Sequence, residues 1–434
     1  MKKFIITEKL CDNLKNHKFL WLNFIKNSQK NDDKISKIVE EIIKDVKTRG
    51  DQSILELTNK FDKTFATKID DLIIDKKEIF ASEKKVSKEV KEALKFAKKR
   101  IEIYHQKQLP QDFSFKDSTG TKLGNIWKPI QKIGVYVPGG TASYPSSVLM
   151  SVIPAQIAGV KNIALFAPSN NGEINPAVLY ASKLCGINKI YKIGGAQAIA
   201  SMCFGTESIE AVDKIVGPGN AFVATAKKIL YGEVGIDMIA GPTDITIIAD
   251  NSSNPSWIAI DALSQLEHGE DSKAFIVCDN EVFADKIIAE INSHSKKLSR
   301  QKIIEKSLKN SAIFVIKNIE DAHFISNLIA PEHLEICTKN PQKIMKKINN
   351  AGAIFLGNYS PEAIGDYVAG PSHTLPTSSS ARFASGLSVY DFLKRISVIS
   401  CTKKSFISLS EKTAILAQCE GLNAHQLSIN IRKS

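Results

Sequence analysis

Four short stretches of this chain set an imidazole beside oxygen donors. His268 follows Gln265 by three residues in "LSQLEHG", and Glu332 adjoins His333 in "APEHLE". Asp366 of "IGDY" shortly precedes His373 of "GPSHTLP", and Glu420 shortly precedes His425 in "EGLNAHQ". An acid next to an imidazole in a Gly/Pro-rich loop is the arrangement of general acid–base chemistry. The carboxylate raises the imidazole pKa or orders a water, and the loop keeps both within reach of substrate. If the segment from Trp257 onward is helical, Gln265 and His268 share one face, and an amide oxygen and a ring nitrogen address one ion. Taken alone, a polar helix end before Gly269 explains the pair equally well. His17, His105, His294 and His323 lie in lysine-rich or helical surface patterns and carry no such expectation.

Gln265, His268, Asp366 and His425 together offer two imidazole nitrogens and two oxygens, with no thiolate. Such a set suits zinc and would also accept manganese or cobalt. The cysteines (11, 185, 203, 278, 337, 401, 419) form no CxxC pair and lie outside these motifs, which argues against a structural zinc knot and a thiolate mechanism. Glycine turns at 138–140 ("PGG"), 194–195 ("GG") and 217–220 ("GPGN") each follow a predicted strand. They would let a dinucleotide approach the backbone and a helix N-terminus. None is a complete GxGxxG followed by an acid, and tight βα connections account for them as well.

These residues need a scaffold. The length of 434 residues predicts two or three domains, and 43% hydrophobic with 24% charged residues is ordinary for a globular protein. The net charge of +12 is almost all lysine, with arginine only at 49, 100, 300, 382, 395 and 432. No arginine stripe alternates with aromatics, so a solvated lysine surface is preferred to its competitor, a basic protein binding nucleic acid or acidic surfaces. The start lacks the apolar run of a signal peptide and no segment is long enough to span a membrane, so a cytoplasmic location is expected, without nucleic-acid or membrane partners.

In "DDKISKIVEEIIKDVKTRG" an apolar stripe from Ile35 to Val46 predicts a helix with Asp33 as N-cap and Gly50 as stop, and a lysine-rich helix is expected over roughly 84–107. From Gly134 strands, glycine turns and helices alternate, and a second series runs through 244–250, 273–279, 311–317 and 351–357. The pattern predicts two α/β units with parallel sheets, whose loops converge at the carboxyl ends of the strands. The last fifty residues lack the alternation and read as a tail that packs on another domain or subunit.

"GVYVPGGTASYPSSVLM", "GGAQAIASMCFGT", "VDKIVGPGNAFVATAKK", "IDMIAGPTDI", "LSQLEHG", "APEHLE", "GDYVAGPSHTLPT" and "EGLNAHQ" together resemble the histidinol dehydrogenase family, in its order and over essentially the whole chain. The resemblance implies a zinc-dependent, NAD-linked homodimer that oxidises L-histidinol through bound L-histidinal to L-histidine with two NAD+, ending histidine biosynthesis. It implies Gln265, His268, Asp366 and His425 as metal ligands, and Glu332 and His333 as the acid–base pair. Thr243, His373 and Glu420 match substrate-contacting positions, as do the four ligands and His333; Tyr136, Gln197 and Asn220 match NAD contacts. Some members carry serine where this chain has Thr243. It also implies an aldehyde-dehydrogenase-like architecture of two incomplete Rossmann-like parallel-sheet domains with helical N- and C-terminal extensions. The expected partition is an N-terminal helical extension (1–30), a discontinuous metal and substrate domain (31–133 plus 241–381), an NAD-binding domain (134–240) and a tail (382–434) that completes the partner's site. An NAD-linked dehydrogenase of a different amino alcohol is the nearest competing reading.

Overall fold

The computed structural model describes residues 1–6, 33–139 and 144–433. Its strands, in chain order, are β1 (Lys2–Ile5), β2 (Ile73–Ile74), β3 (Phe113–Lys116), β4 (Lys122–Pro129), β5 (Lys132–Tyr136), β6 (Asn162–Phe166), β7 (Ile190–Tyr191), β8 (Lys214–Val216), β9 (Gly235–Ile236), β10 (Asp244–Ala249), β11 (Lys273–Cys278), β12 (Ala312–Val315), β13 (His333–Cys337), β14 (Ala353–Leu356) and β15 (Leu393–Ser400). The helices used below are α1 (Asp33–Arg49), α2 (Asp51–Asp62), α3 (Pro145–Ala158), α4 (Gly195–Phe204), α5 (Ala221–Leu230), α6 (Pro255–Leu266), α7 (Glu362–Tyr367), α8 (Lys403–Cys419) and α9 (Asn423–Asn430).

Two six-stranded sheets organise the molecule. One runs β2-β7-β6-β5-β8-β9, parallel except for β2, and the other runs β1-β12-β11-β10-β13-β14, parallel throughout. Within each sheet the five strands of the alternating series take the order 3-2-1-4-5, the doubly wound arrangement. The chain therefore reverses direction across the sheet between β5 and β8 in one unit and between β10 and β13 in the other. Both sheets are covered on two faces, which is why β10 and β13 are buried along their whole length. A third, antiparallel sheet, β15-β4-β3, joins the tail to the segment before β5.

The expected α/β class holds, but the chain is divided differently from the expected partition. The apolar stripe of α1 (Val39, Ile42, Ile43, Val46) packs with Tyr136 and Phe166 of the β5 sheet, and Leu94, Ala97 and Ile101 pack with Ile133 and Val135. Residues 33–106 thus cover the sheet expected for NAD rather than joining 241–381, because their apolar faces match that surface. At the N-terminus, β1 adds to the other sheet, with Lys2 opposite Ala312, so the described part of the expected helical extension is a strand. Most of that extension, with Cys11 and His17, lies outside the described residues, as does Gly140 of the first glycine turn.

Candidate active site

β10 and β13 lie side by side, with Ile245 opposite His333. His333 is the first residue of β13, and Thr243 directly precedes β10. The acid–base candidates therefore stand at the amino ends of these strands, not at the carboxyl ends expected from sequence, and His333 starts a strand rather than lying in a loop. The physical reason is visible in the backbone. At that end the Asp244 N–H donates to Glu332 Oε2 (3.2 Å) and the Glu332 N–H donates to Asp244 Oδ2 (3.3 Å). Two carboxylates satisfy strand-opening N–H groups that would otherwise be orphaned.

A side-chain relay extends from this pair. The Gln265 Nε2 amide donates to the Thr243 hydroxyl, and that hydroxyl donates to Glu332 Oε2. Gln265 occupies the last turn of α6, whose Asn254 N-cap accepts from the Ser256 N–H (2.9 Å). Its Nε2 being engaged, Gln265 Oε1 is left buried with no partner among the described residues. His268 follows just beyond the helix end, and its ring lies with the Glu362 and Asp366 carboxylates so that one ligand atom from each falls within 4.8 Å of the others. Glu362 and Asp366 are four residues apart on the short helix α7, hence on one face. The donor set, an imidazole and two carboxylates with an orphaned amide oxygen three residues before that imidazole, fits a divalent cation of borderline hardness, zinc among them.

His333 sits between the two groups, 3% exposed. Its Nδ1 is 3.9 Å from Glu332 Oε2; its Nε2 is 3.7 Å from Asp366 Oδ1 and 4.0 Å from Glu362 Oε1. Among the described residues neither ring nitrogen has a hydrogen-bond partner. Burial alone would lower its pKa, but Glu332, Asp366 and Glu362 overcome that and raise it to about 10. Burial pushes the Glu332 carboxyl to about 7 and, with Asp366 adding repulsion, that of Glu362 to about 8. Burial also works against ionised Asp366, yet His333 and His373 hold its pKa below the ordinary value. A cavity of about 350 Å³ opens onto this group, lined by His333, Asp366, His373, Phe355, Pro361 and Leu375. That size suits a small molecule. His373 is engaged at both ring nitrogens: Nδ1–H donates to the Asp366 carbonyl at 2.9 Å, and Nε2 lies 3.2 Å from Ser147 Oγ on α3. It so ties the site to the other α/β unit.

The remaining candidates fall in two places. Tyr136 ends β5, and its hydroxyl accepts from the Gly195 N–H (3.1 Å) at the start of α4. Gln197 on α4 is 1% exposed, with Nε2 unpartnered, and Asn220 follows β8 as the N-cap of α5. The Asn220 side-chain oxygen accepts from the Phe222 and Val223 N–H groups, both at 3.1 Å, so only its NH2 remains for a ligand. Asp62 at the end of α2 adds an unpartnered buried oxygen beside Gly194, and burial raises its pKa to about 6. These residues surround the point where the β5 sheet reverses, the usual crevice for a dinucleotide in this strand order. An orphaned Gln197 amide beside glycine turns fits such a ligand. Glu420 and His425, by contrast, are exposed at the end of α8 and on α9 and do not join the His268 group within this chain.

Glu362 is the residue that sequence reasoning missed. It stands in "SPEAIG", with no histidine nearby, where an acid in a first helical turn after Pro361 is unremarked. Its spacing of four from Asp366 was the available signal.

The histidinol dehydrogenase family profile matches residues 25–433. The chain is 47% identical over 401 residues to histidinol dehydrogenase 1 of Nostoc sp. (strain PCC 7120 / SAG 25.82 / UTEX 2576), covering 92% of each chain. It is 46% identical over 397 residues to histidinol dehydrogenase of Neisseria gonorrhoeae (strain ATCC 700825 / FA 1090), covering 91% of this chain and 92% of that one. A crystal structure of histidinol dehydrogenase from Elizabethkingia anophelis superposes with a TM-score of 0.93 at 38% identity, over 100% of this chain and 98% of that one. With the profile and relatives spanning nearly its whole length, this chain belongs to the histidinol dehydrogenase family.

Proposed function

We propose that the protein oxidises L-histidinol to L-histidine in two successive hydride transfers to two NAD+, with L-histidinal kept in the site between them. The observation that carries this reading is His333, buried with both ring nitrogens unpartnered, between Glu332 and a cluster of ligand-type side chains, in a chain of this family. Gln265, His268 and Asp366 would hold a zinc ion, with Glu362 as a further carboxylate in reach and the partner subunit's His425 completing the set. When bound, a divalent cation supplies positive charge that fixes the substrate's imidazole and amine and offsets the carboxylates now keeping His333 protonated. Manganese or cobalt would serve the same donors. Tyr136, Gln197 and Asn220 would hold NAD+, which would supply the hydride acceptor.

The protein's own groups move the protons. His333 takes the proton of the alcohol as hydride leaves the carbinol carbon, giving the aldehyde and the first NADH. Glu332, with its pKa near 7, accepts a proton from the water that adds to the aldehyde, while His333 returns its proton to the former carbonyl oxygen and is free to act again; Thr243 holds the Glu332 carboxylate in place. The hydrated aldehyde loses a second hydride while His333 takes its hydroxyl proton, giving the carboxylic acid and the second NADH. The cavity gives the aldehyde a place to stay bound between steps.

A shared site needs a partner, and the tail supports one. The tail leaves Ile399 71%, Leu416 63% and Leu427 60% exposed. Apolar side chains so uncovered on adjoining elements suit a second copy of the chain, placing Glu420 and His425 at its site. Among the described residues no helix is long and apolar enough to cross a membrane, consistent with a cytoplasmic biosynthetic enzyme. The test is stoichiometric. Purified enzyme given histidinol and NAD+ is expected to form two NADH per histidine; one NADH with free aldehyde, or no reaction with histidinol, overturns the reading.

A further inference from the structure

The glycine turn at 217–220 is held from behind by a buried ion pair that no part of the mechanism uses. Lys227 on α5 is 1% exposed, and the Asp237 side chain is fully buried. Lys227 Nζ lies 2.5 Å from Asp237 Oδ1 and donates to the Gly217 carbonyl at 2.8 Å. Asp237 Oδ2 accepts the Gly217 N–H at 2.8 Å, and its Oδ1 also accepts the Met238 N–H at 2.6 Å. Both backbone polar groups of Gly217 are therefore consumed by the one pair. From the opposite side Gly217 meets the backbone of Tyr136. Its φ is +111°, and a Cβ there would fall 2.1 Å from the Tyr136 carbonyl oxygen. The residue is thus fixed between β5 and the ion pair, and three residues later the chain delivers Asn220 to the start of α5.

A buried lysine–carboxylate pair is a poor source of net stability, because desolvation offsets its attraction, and apolar replacements of similar volume fold as well or better. What such a pair does supply is geometry: each of its hydrogen bonds has one acceptable position. We propose that Lys227 and Asp237 are positioning residues for the dinucleotide. They set the 217–220 turn, and through it Asn220 and Tyr136, in the arrangement that receives the cofactor. Neither touches it. The proposal rests on the reading of this turn as the cofactor site.

The experiment uses the full-length, metal-loaded enzyme and compares K227M/D237L, which removes both charges together, with D237N, which keeps an acceptor for Gly217, and with N220A. NAD+ affinity is measured by calorimetry, beside separate KM values for NAD+ and histidinol, kcat and metal content. Because misplacing a binding group by about 1 Å costs up to about 100-fold, the double variant is expected to weaken NAD+ binding by about tenfold or more, and D237N by about threefold. The KM for histidinol and the metal content should stay within about twofold of the parent, a split that general loosening of the fold would not produce. NAD+ affinity within about twofold of the parent in the double variant overturns the proposal, as does a parallel loss of histidinol affinity and metal. Should the double variant not fold, D237N decides by the same split. If N220A alone leaves NAD+ affinity unchanged, the fault lies with the cofactor reading, whatever the ion pair does.

Discussion

In the sheet built on β5 and β8 the candidate cofactor residues lie at or beyond the carboxyl ends of the strands; in the sheet built on β10 and β13 the candidate acid–base residues lie at the amino end of β13. The strand order is the same in both, and so is the pair of strands between which the chain reverses. What differs is the kind of group each end offers. Past the carboxyl ends, glycine turns lead into helix N-termini, whose positive dipole ends suit an anionic dinucleotide. Before the amino ends of β10 and β13, strand-opening N–H groups collect carboxylates instead, and α6 returns there with Gln265 and His268 at its end. One topology thus yields two chemically different edges, which the proposed function assigns to an anionic dinucleotide and to a cation, and the His373–Ser147 contact joins them in one molecule.

That contrast predicts that substitutions at the two edges fail in different ways. The largest effect should come from His333→Asn, which removes the proposed proton acceptor for both oxidations. Turnover is expected to fall by about 10²–10⁴-fold while metal content stays at the parental level; unchanged turnover would remove His333 from the mechanism. Next is His268→Asn, expected to weaken zinc retention against a competing chelator by about 100-fold while NAD+ binding to the protein is retained. Equal loss of both would mean the edges are not separate. On the other sheet, Asn220→Ala should raise the KM for NAD+ several-fold and lower stability by about 1 kcal/mol through the lost helix cap, with metal content untouched.

The smallest effect is a pH dependence that His333 contributes at the carboxylate-rich edge. In metal-free protein the folded-state pKa of His333 is raised from 6.5 to about 10, so its contribution to stability is complete below pH 6.5 and is lost as pH rises through 10. Melting temperature of the chelated enzyme should accordingly decline across that window, and His333→Asn should flatten the decline. A slope unchanged by that substitution would mean the three carboxylates do not act on this imidazole.

Much of this division was open to inspection in the amino-acid order. The three-residue step from Gln265 to His268 lies at a helix end as periodicity suggests, and Glu332 beside His333 needed no folding to be adjacent. The end of the sheet was not legible, because "APEHLE" has the proline and charges of a loop, while Leu334, Ile336 and Cys337 become a central strand through burial on both faces. Glu362 escaped notice because an acid after proline in a first helical turn is commonplace. Lys227 was hidden in a different way: in a lysine-rich chain nothing in "ATAKKIL" distinguishes the one that is buried. The grouping of 33–106 with the β5 sheet depends on complementary apolar surfaces that no linear pattern pairs.

The direct test of the cation-binding edge is anomalous diffraction at the zinc absorption edge from crystals of the metal-loaded dimer. The account predicts one peak per chain about 2.0–2.2 Å from Gln265 Oε1, a His268 ring nitrogen and an Asp366 oxygen, with His333 beside it and the partner's His425 among its ligands. A peak elsewhere in the molecule, or zinc bound by other side chains with His333 remote from it, would contradict the account.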